Sequence, residues 1–246
     1  TVAMGQRVSG RSRTWIGAAA IALAIGVGFI LWWRQLPAIP VVEAVTQLTD
    51  DGEIKGNSGR LVTDGSRIYF GEGTLGTYKI MQVAATGGPT SPILTRLANF
   101  QFTALSQDGS TLLGASGDQF VLPLWTIPLP AGAPRRLGSL EAQDADLFPD
   151  GRILFSLGKD LYIAEKDGSQ THKLLSASGV IRDPSVSPDG ERLVLTIYSR
   201  GPISIDEARA DGSGLHPIVN TSDAGQVCCA RWTPDGRYVV YENRFE

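Results

Sequence analysis

An all-β fold of repeated blades is what this 246-residue chain predicts, from three observations. Asp-Gly recurs at Asp64-Gly65, Asp108-Gly109, Asp150-Gly151, Asp189-Gly190 and Asp235-Gly236, at intervals of 44, 42, 39 and 46 residues. A short apolar run follows each pair within one or two residues. The 29 Gly and 14 Pro suit a turn-rich chain, and no long helical periodicity appears after residue 34. One hairpin turn per about 43 residues is the spacing of a β-propeller, whose blades are four-stranded meanders. The expected architecture is a partial β-propeller of about five four-stranded blades over residues 47–246, preceded by one N-terminal transmembrane helix.

Each repeat contains its own turn chemistry. Ser187-Pro188-Asp189-Gly190 and Thr233-Pro234-Asp235-Gly236 place Pro where φ is near −65° and Gly where the chain turns left-handed. Short β-branched or aromatic runs flank the turn: Asp146-Leu147-Phe148 and Ala230-Arg231-Trp232 before it, Ile153-Leu154-Phe155, Leu193-Val194-Leu195 and Tyr238 to Tyr241 after it. They predict the inner hairpin of a blade. A third strand is expected at Tyr78 to Met81, Leu124 to Ile127 and Leu161 to Ile163. Second turns follow at Gly87-Gly88, Ala131-Gly132, Asp167-Gly168 and Asp211-Gly212, and fourth strands at Lys173 to Leu175 and Pro217 to Val219. In the fourth blade Asp206 stands near the slot that Trp125 and Tyr162 fill earlier, which predicts a different register for that strand.

This turn, an apolar strand and then Asp-Gly-Ser resemble the TolB-type, WD40-like propeller repeat. Three longer phrases, Val45 to Gly52, Leu61 to Phe70 and Cys228 to Gly236, resemble the sensor half of bacterial one-pass regulators. In those proteins a cytoplasmic winged-helix DNA-binding domain precedes a membrane helix and a propeller. The resemblance covers roughly residues 15 to 246. It implies a non-catalytic sensor that binds a ligand or protein outside the cytoplasm, with nucleic acid contacted only through a domain absent from this chain. An envelope scaffold of the TolB kind, or a propeller attached to a peptidase or kinase, is the alternative implied by the same repeat.

The first 46 residues have a different character. Residues 1–14 are a short basic segment with Arg7, Arg11 and Arg13. Trp15 to Trp33 is a run of 19 residues without charge, about 28 Å of helix, enough for a bilayer core. Trp15, Trp32 and Trp33 stand where interfacial aromatics are expected. Three Arg before the run against Arg34 after it place the N-terminus in the cytoplasm and the propeller in the periplasm. A cleaved signal peptide, with Val42-Glu43-Ala44 as cleavage pattern, is the rival; the apolar run exceeds the usual 7 to 15 residues. Ala18, Ala22 and Gly26, and Ala20, Ala24 and Gly28, have the small-residue spacing that permits helix association and a homodimer. Residues 34–46, with Pro37 and Pro40, read as a linker. Beyond residue 34 the chain holds 18 Lys and Arg against 25 Asp and Glu, a poor partner for nucleic acid. A chain beginning with Thr1, whose last Asp-Gly hairpin runs out at Glu246, is expected to be an incomplete propeller.

Candidate chemistry is sparse. Gly71-Glu72-Gly73-Thr74-Leu75-Gly76 matches G-x-G-x-x-G, but a dinucleotide site needs a helix next and Thr77 to Val83 reads as a strand. His172 and His216 each follow a second-turn Asp by five residues, which predicts exposed outer-strand positions rather than a metal pair. Asp144, Asp146 and Asp150 lack the Gly and Glu of a calcium loop and read as blade-end acids. No G-x-S-x-G hydrolase elbow occurs. Cys228 and Cys229 are adjacent; on a regular strand their side chains point to opposite faces, which predicts two packed thiols, with a vicinal disulfide in a loop or a redox role as alternatives. No catalytic, cofactor or metal site is expected.

Overall fold

The computed structural model describes residues 25–28, 41, 44–55, 60–74, 77–221 and 225–245. The chain divides into two units, Thr1–Thr46 and Gln47–Glu246. In the first, Ile25 to Gly28 is helical. The rest of the expected span from Trp15 to Trp33 lies outside the described residues, and among the described residues no helix is long and apolar enough to cross a membrane.

The second unit is an all-β propeller of four four-stranded blades followed by a two-stranded sheet. Blade one is β1 (Val62–Thr63), β2 (Arg67–Glu72), β3 (Lys79–Ala84) and β4 (Ser91–Ile93). Blade two is β5 (Phe100–Leu105), β6 (Thr111–Ser116), β7 (Leu122–Pro128) and β8 (Arg135–Ala142). Blade three is β9 (Asp144–Leu147), β10 (Ile153–Leu157), β11 (Asp160–Ala164) and β12 (His172–Ser176). Blade four is β13 (Val180–Val186), β14 (Arg192–Tyr198), β15 (Ile203–Arg209) and β16 (His216–Asn220); β17 (Gly225–Trp232) and β18 (Val239–Phe245) form the last hairpin. Each blade is an antiparallel meander. The fifth repeat thus has two strands among the described residues rather than four, and in the first blade an isolated bridge from Lys55 to Glu72 of β2 precedes β1.

Blades stack face to face, and this explains the unbroken apolar runs of their second strands. Leu112 packs with Tyr69, Ile80 and Phe102 toward blade one, while Leu113 packs with Ala145, Ile153 and Phe155 toward blade three. The pattern repeats: Leu193 joins Phe148, Leu154 and Leu161, and its neighbour Val194 joins Val227 and Ala230. Successive side chains of a strand point to opposite faces, so a strand buried on both faces is apolar at every position. Leu112, Leu113, Leu154, Leu193 and Val194 are fully buried.

The Asp-Gly turns are closed by local bonds. Asp189 accepts from the Ser187 hydroxyl at 2.5 Å and from the Glu191 amide at 3.0 Å. Asp108 does the same with Ser106 and Ser110, and Asp235 with Thr233 and Arg237. Blade three has Phe148 in place of the hydroxyl residue, and there Asp150 pairs with Arg152 instead, at 2.7 Å. Gly109, Gly190 and Gly236 are left-handed, with φ of 70°, 75° and 66°. A side chain on Gly190 would also meet Pro149 of the preceding blade's turn at 3.1 Å.

One register expectation is corrected. Asp206 lies opposite Leu195 as Trp125 lies opposite Gly114 and Tyr162 opposite Phe155, with a bulge toward the outer strand beside each of the three. The backbone pairing is therefore conserved across blades two to four. Asp206 is accommodated by the Ser204 hydroxyl, which donates to its carboxylate at 2.5 Å.

Candidate functional site

The innermost strands β1, β5, β9, β13 and β17 each have one neighbour in their own sheet, which leaves their other edge of amides and carbonyls facing the axis. Such an edge must be satisfied or it invites pairing with another chain. Here charged side chains satisfy it. Arg60, just before β1, donates to the carbonyls of Thr103 in blade two at 2.9 Å and Ala145 in blade three at 3.0 Å. Arg231 of β17 donates to the Asp183 carbonyl in blade four at 3.0 Å. The carboxylates serve the amides: Asp144 accepts from Asp183 N at 3.3 Å and Asp146 from Val186 N at 2.9 Å.

The same groups pair with one another. Arg60 lies 3.4 Å from Asp183 and 3.8 Å from Asp144, Arg182 lies 2.7 Å from Asp144, and Arg231 lies 3.7 Å from Asp183. Arg182 also lies over the ring of the exposed Phe120. With Asp146 this makes three arginines against three aspartates. Burial raises the Asp146 carboxyl above its ordinary range, outweighing the attraction of Arg60 and Arg231. Burial and the nearby Arg60 lower Arg231 to about 10, which leaves it charged at neutral pH.

Above this network opens a cavity of about 510 Å³, lined by Arg60, Arg182, Arg231, Asp144, Asp183 and Cys229 among others. Leu61, at its edge, is 66% exposed. The buried hydroxyl of Thr103 also lines it and has no protein hydrogen bond. A polar, charge-balanced opening of this kind suits a segment carrying both hydrogen-bond donors and acceptors.

Asp144 and Asp146 are not blade-end acids: they lie two apart on the innermost strand of blade three, on one face, directed at blade four. Asp150 is remote from them in interaction, paired with Arg152 in its turn. His172 and His216 are exposed first residues of the outer strands β12 and β16, their Nδ1 atoms facing the carbonyls of Gln170 and Gly214. Gly71 ends within β2 and Gly73 follows it at φ 101°, while Leu75 and Gly76 lie outside the described residues; β3 follows. The expectation of two free thiols is overturned, because Cys228 and Cys229 are disulfide-bonded to each other. The alternation that argued against this fails locally: a bulge sits between Cys228 and Arg231, and Cys229 has φ 65°. Glu242 lies beside the pair, and the three groups' ligand atoms fall within 4.8 Å of one another. With both sulfurs in a disulfide, the thiolates that would bind a metal there are absent.

Arg60 and Arg231 were not singled out by sequence. The signal that could have found them is indirect: acids two apart on an innermost strand need cations.

No family model matches the chain. It is 28% identical over 145 residues to the Protein TolB homolog of Chlorobium luteolum, an alignment that takes in 55% of this chain and 32% of that protein. The chain thus matches about a third of that relative's length. Among solved structures it is similar to one described as a TolB from Agrobacterium tumefaciens, with a TM-score of 0.63 and 19% identity, over 74% of this chain and 72% of that one. It is also similar to an oligogalacturonate lyase in complex with manganese, with a TM-score of 0.54 and 17% identity, over 78% and 59% of the two chains. The fold is a TolB-like β-propeller, an architecture that enzymes share, so fold alone does not decide catalysis.

Proposed function

We propose that this chain is a non-catalytic, protein-binding propeller that acts as a scaffold in the cell envelope and receives its partner at the axial mouth. The observation that carries this reading is the axial cavity, where guanidinium and carboxylate groups from four of the five repeats converge on one opening. Its acids are each held by amides or arginines rather than set beside a nucleophile, which supports binding over catalysis. The similarity to TolB proteins favours a protein partner in the envelope. A photo-crosslinking residue in place of Leu61 or Gln101 should trap a protein in intact cells, and one at Lys173 on the outer strand β12 should not. Equal trapping at both places, or only at Lys173, would contradict the axial assignment.

A second reading is carried by the uncharged run from Trp15 to Trp33 with three Arg before it. Here residues 15–33 anchor the propeller to the inner membrane, residues 34–46 link them, and residues 47–246 are the periplasmic sensor of a regulator whose winged-helix domain lies upstream. A reporter fused after Glu246 should then be active only if it functions in the periplasm. Cytoplasmic activity would remove both the orientation and the sensor role.

A further inference from the structure

The innermost strands of blade four and of the last hairpin share a β-bulge and fill it differently. In β13 Asp183-Pro184 face Leu195 of β14, and in β17 Cys229-Ala230 face Tyr241 of β18. The first bulge residue is left-handed in both, φ 50° at Asp183 and 65° at Cys229. Asp enters that region comparatively readily; Cys has no local hydrogen bond to recommend it there. The bulge sets this backbone at Asp183 without help, and at Cys229 the bond to Cys228 is added to it, closing adjacent residues into a small ring. Non-glycine residues held in this region cluster at functional sites.

The ring is also reachable. Cys229 is exposed and lines the axial cavity, while Cys228 is half-buried with its Sγ 3.7 Å from Glu242 Oε2. Exposed, strained disulfides are the reducible ones. Its neighbourhood couples it to the axis: Arg231 donates to the carbonyl of Ala230, the residue after Cys229, at 2.6 Å, and to the carbonyl of Asp183 at 3.0 Å.

We propose that Cys228–Cys229 is a reversible thiol–disulfide switch, opened by a dithiol reductant, that resets the axial mouth through Arg231. A thiolate of the dithiol attacks the exposed Sγ of Cys229. The Cys229–Cys228 bond breaks, and Cys228 leaves as a thiolate that takes a proton from water. The reductant's second thiolate then attacks its own sulfur in the mixed disulfide and releases Cys229. In sum two electrons and two protons pass to the protein, and the dithiol becomes a disulfide. Freed from the ring, Cys229 and Ala230 are held by the bulge alone, and the carbonyl that anchors Arg231 loses the constraint that fixes it. This holds whichever partner the mouth takes.

The test uses the full chain equilibrated in buffers of reduced and oxidised dithiothreitol, with alkylated thiols counted by intact mass and amide exchange followed by mass spectrometry. The expected result is a reversible transition from no alkylated cysteine to two in protein that still melts cooperatively. Peptides containing Asp183 and Arg231 should exchange faster when reduced, on the order of threefold or more. Cys229→Gly accepts the left-handed backbone without the ring, so its exchange should be indifferent to dithiothreitol. Two alkylatable thiols in the air-oxidised protein would overturn the proposal. So would reduction that occurs only on unfolding, or reduction that leaves exchange at Asp183 and Arg231 unchanged. The wild-type measurements decide the matter even if the variant does not fold.

Discussion

The Asp-Gly rim and the axial face are built by opposite means. On the rim the bonds that close each turn are local: Asp189 takes the hydroxyl two residues before it and the amide two residues after it. On the axis Arg60 reaches the Ala145 carbonyl, 85 residues on, and Asp183, 123 residues on. A self-contained turn can be copied from blade to blade with little loss, as Ser106, Ser187 and Thr233 show by filling the same place. An axis assembled from all the repeats has no such freedom to be uniform. It is where the copies differ: the inner bulges hold Asp183 in one blade and Cys229 in the next. Repetition makes the frame, and departures from repetition make the site.

The largest effect expected is at Arg60, whose side chain is 15% exposed. Arg60→Met would leave the Thr103 and Ala145 carbonyls without their donor and remove one of the two cations beside each of Asp144 and Asp183, and should cost about 3 kcal/mol in urea unfolding. Arg60→Lys should recover only part of this, since one ammonium cannot serve two carbonyls in the geometry of a guanidinium. A silent Arg60→Met would erase the distinction between the axis and a solvated surface.

Next come the glycines, which divide the rim itself. All are left-handed, but a Cβ on Gly212 would lie 2.7 Å from the Leu174 carbonyl oxygen of the preceding blade, whereas one on Gly65 meets nothing within 4 Å. Gly212→Ala should cost about 2 kcal/mol, adding a clash to the backbone strain, and Gly65→Ala about 1 kcal/mol from strain alone. Gly190→Ala, with Pro149 at 3.1 Å, should fall between. Equal thermal shifts for all three would show that turns do not contribute to blade contact.

Acid should separate the two regions by sign. A hydroxyl bond from Ser106 and then the Ser110 amide hold Asp108 down to about 2, and Asp189, Asp211 and Asp235 are lowered by Ser187, Ser213 and Thr233 in the same way. Folded values below the unfolded value of about 3.9 mean that this stabilisation is complete above about pH 4 and is lost as pH falls toward 2. Asp146, raised by burial, runs the other way: its contribution is present at low pH and is lost as pH rises beyond the unfolded value. Thermal melts from pH 7 to pH 2 should show a shallower acid loss for Asp108→Asn. For Asp146→Asn the loss above about pH 4 should be steeper than in the wild type. Parallel curves for all three proteins would refute the opposed signs.

The smallest effect belongs to the outer strands. His172→Ala and His216→Ala, each at an exposed strand start, should shift stability by no more than about 0.5 kcal/mol. A larger loss on denaturation would give these histidines a role that neither the rim nor the axis explains.

What could be read in the sequence follows the same division. The turns were legible because Ser, Pro, Asp and Gly act within five residues, and the second strands because Leu193-Val194-Leu195 is apolar at every position, as burial on both faces requires. Asp206 misled because residue type was taken to report register, while the pairing is set by the backbone and the bulge, and one serine hydroxyl suffices for the acid. The vicinal disulfide was hidden because strand alternation was assumed through a bulge that has two residues facing one. Arg60 was illegible because nothing local marks it; its role exists only once blades one to four surround a common axis.

That long-range assembly is tested most directly by a double-mutant cycle between Arg60 and Asp183, which approach to 3.4 Å with side chains 15% and 22% exposed. Arg60→Met, Asp183→Asn and the double variant would be compared with the wild type by urea unfolding. A coupling free energy of about 1 to 2 kcal/mol is predicted, with the double variant less destabilised than the sum of the single ones. Additivity within about 0.3 kcal/mol would mean that the first repeat and the fourth do not meet across the axis in solution.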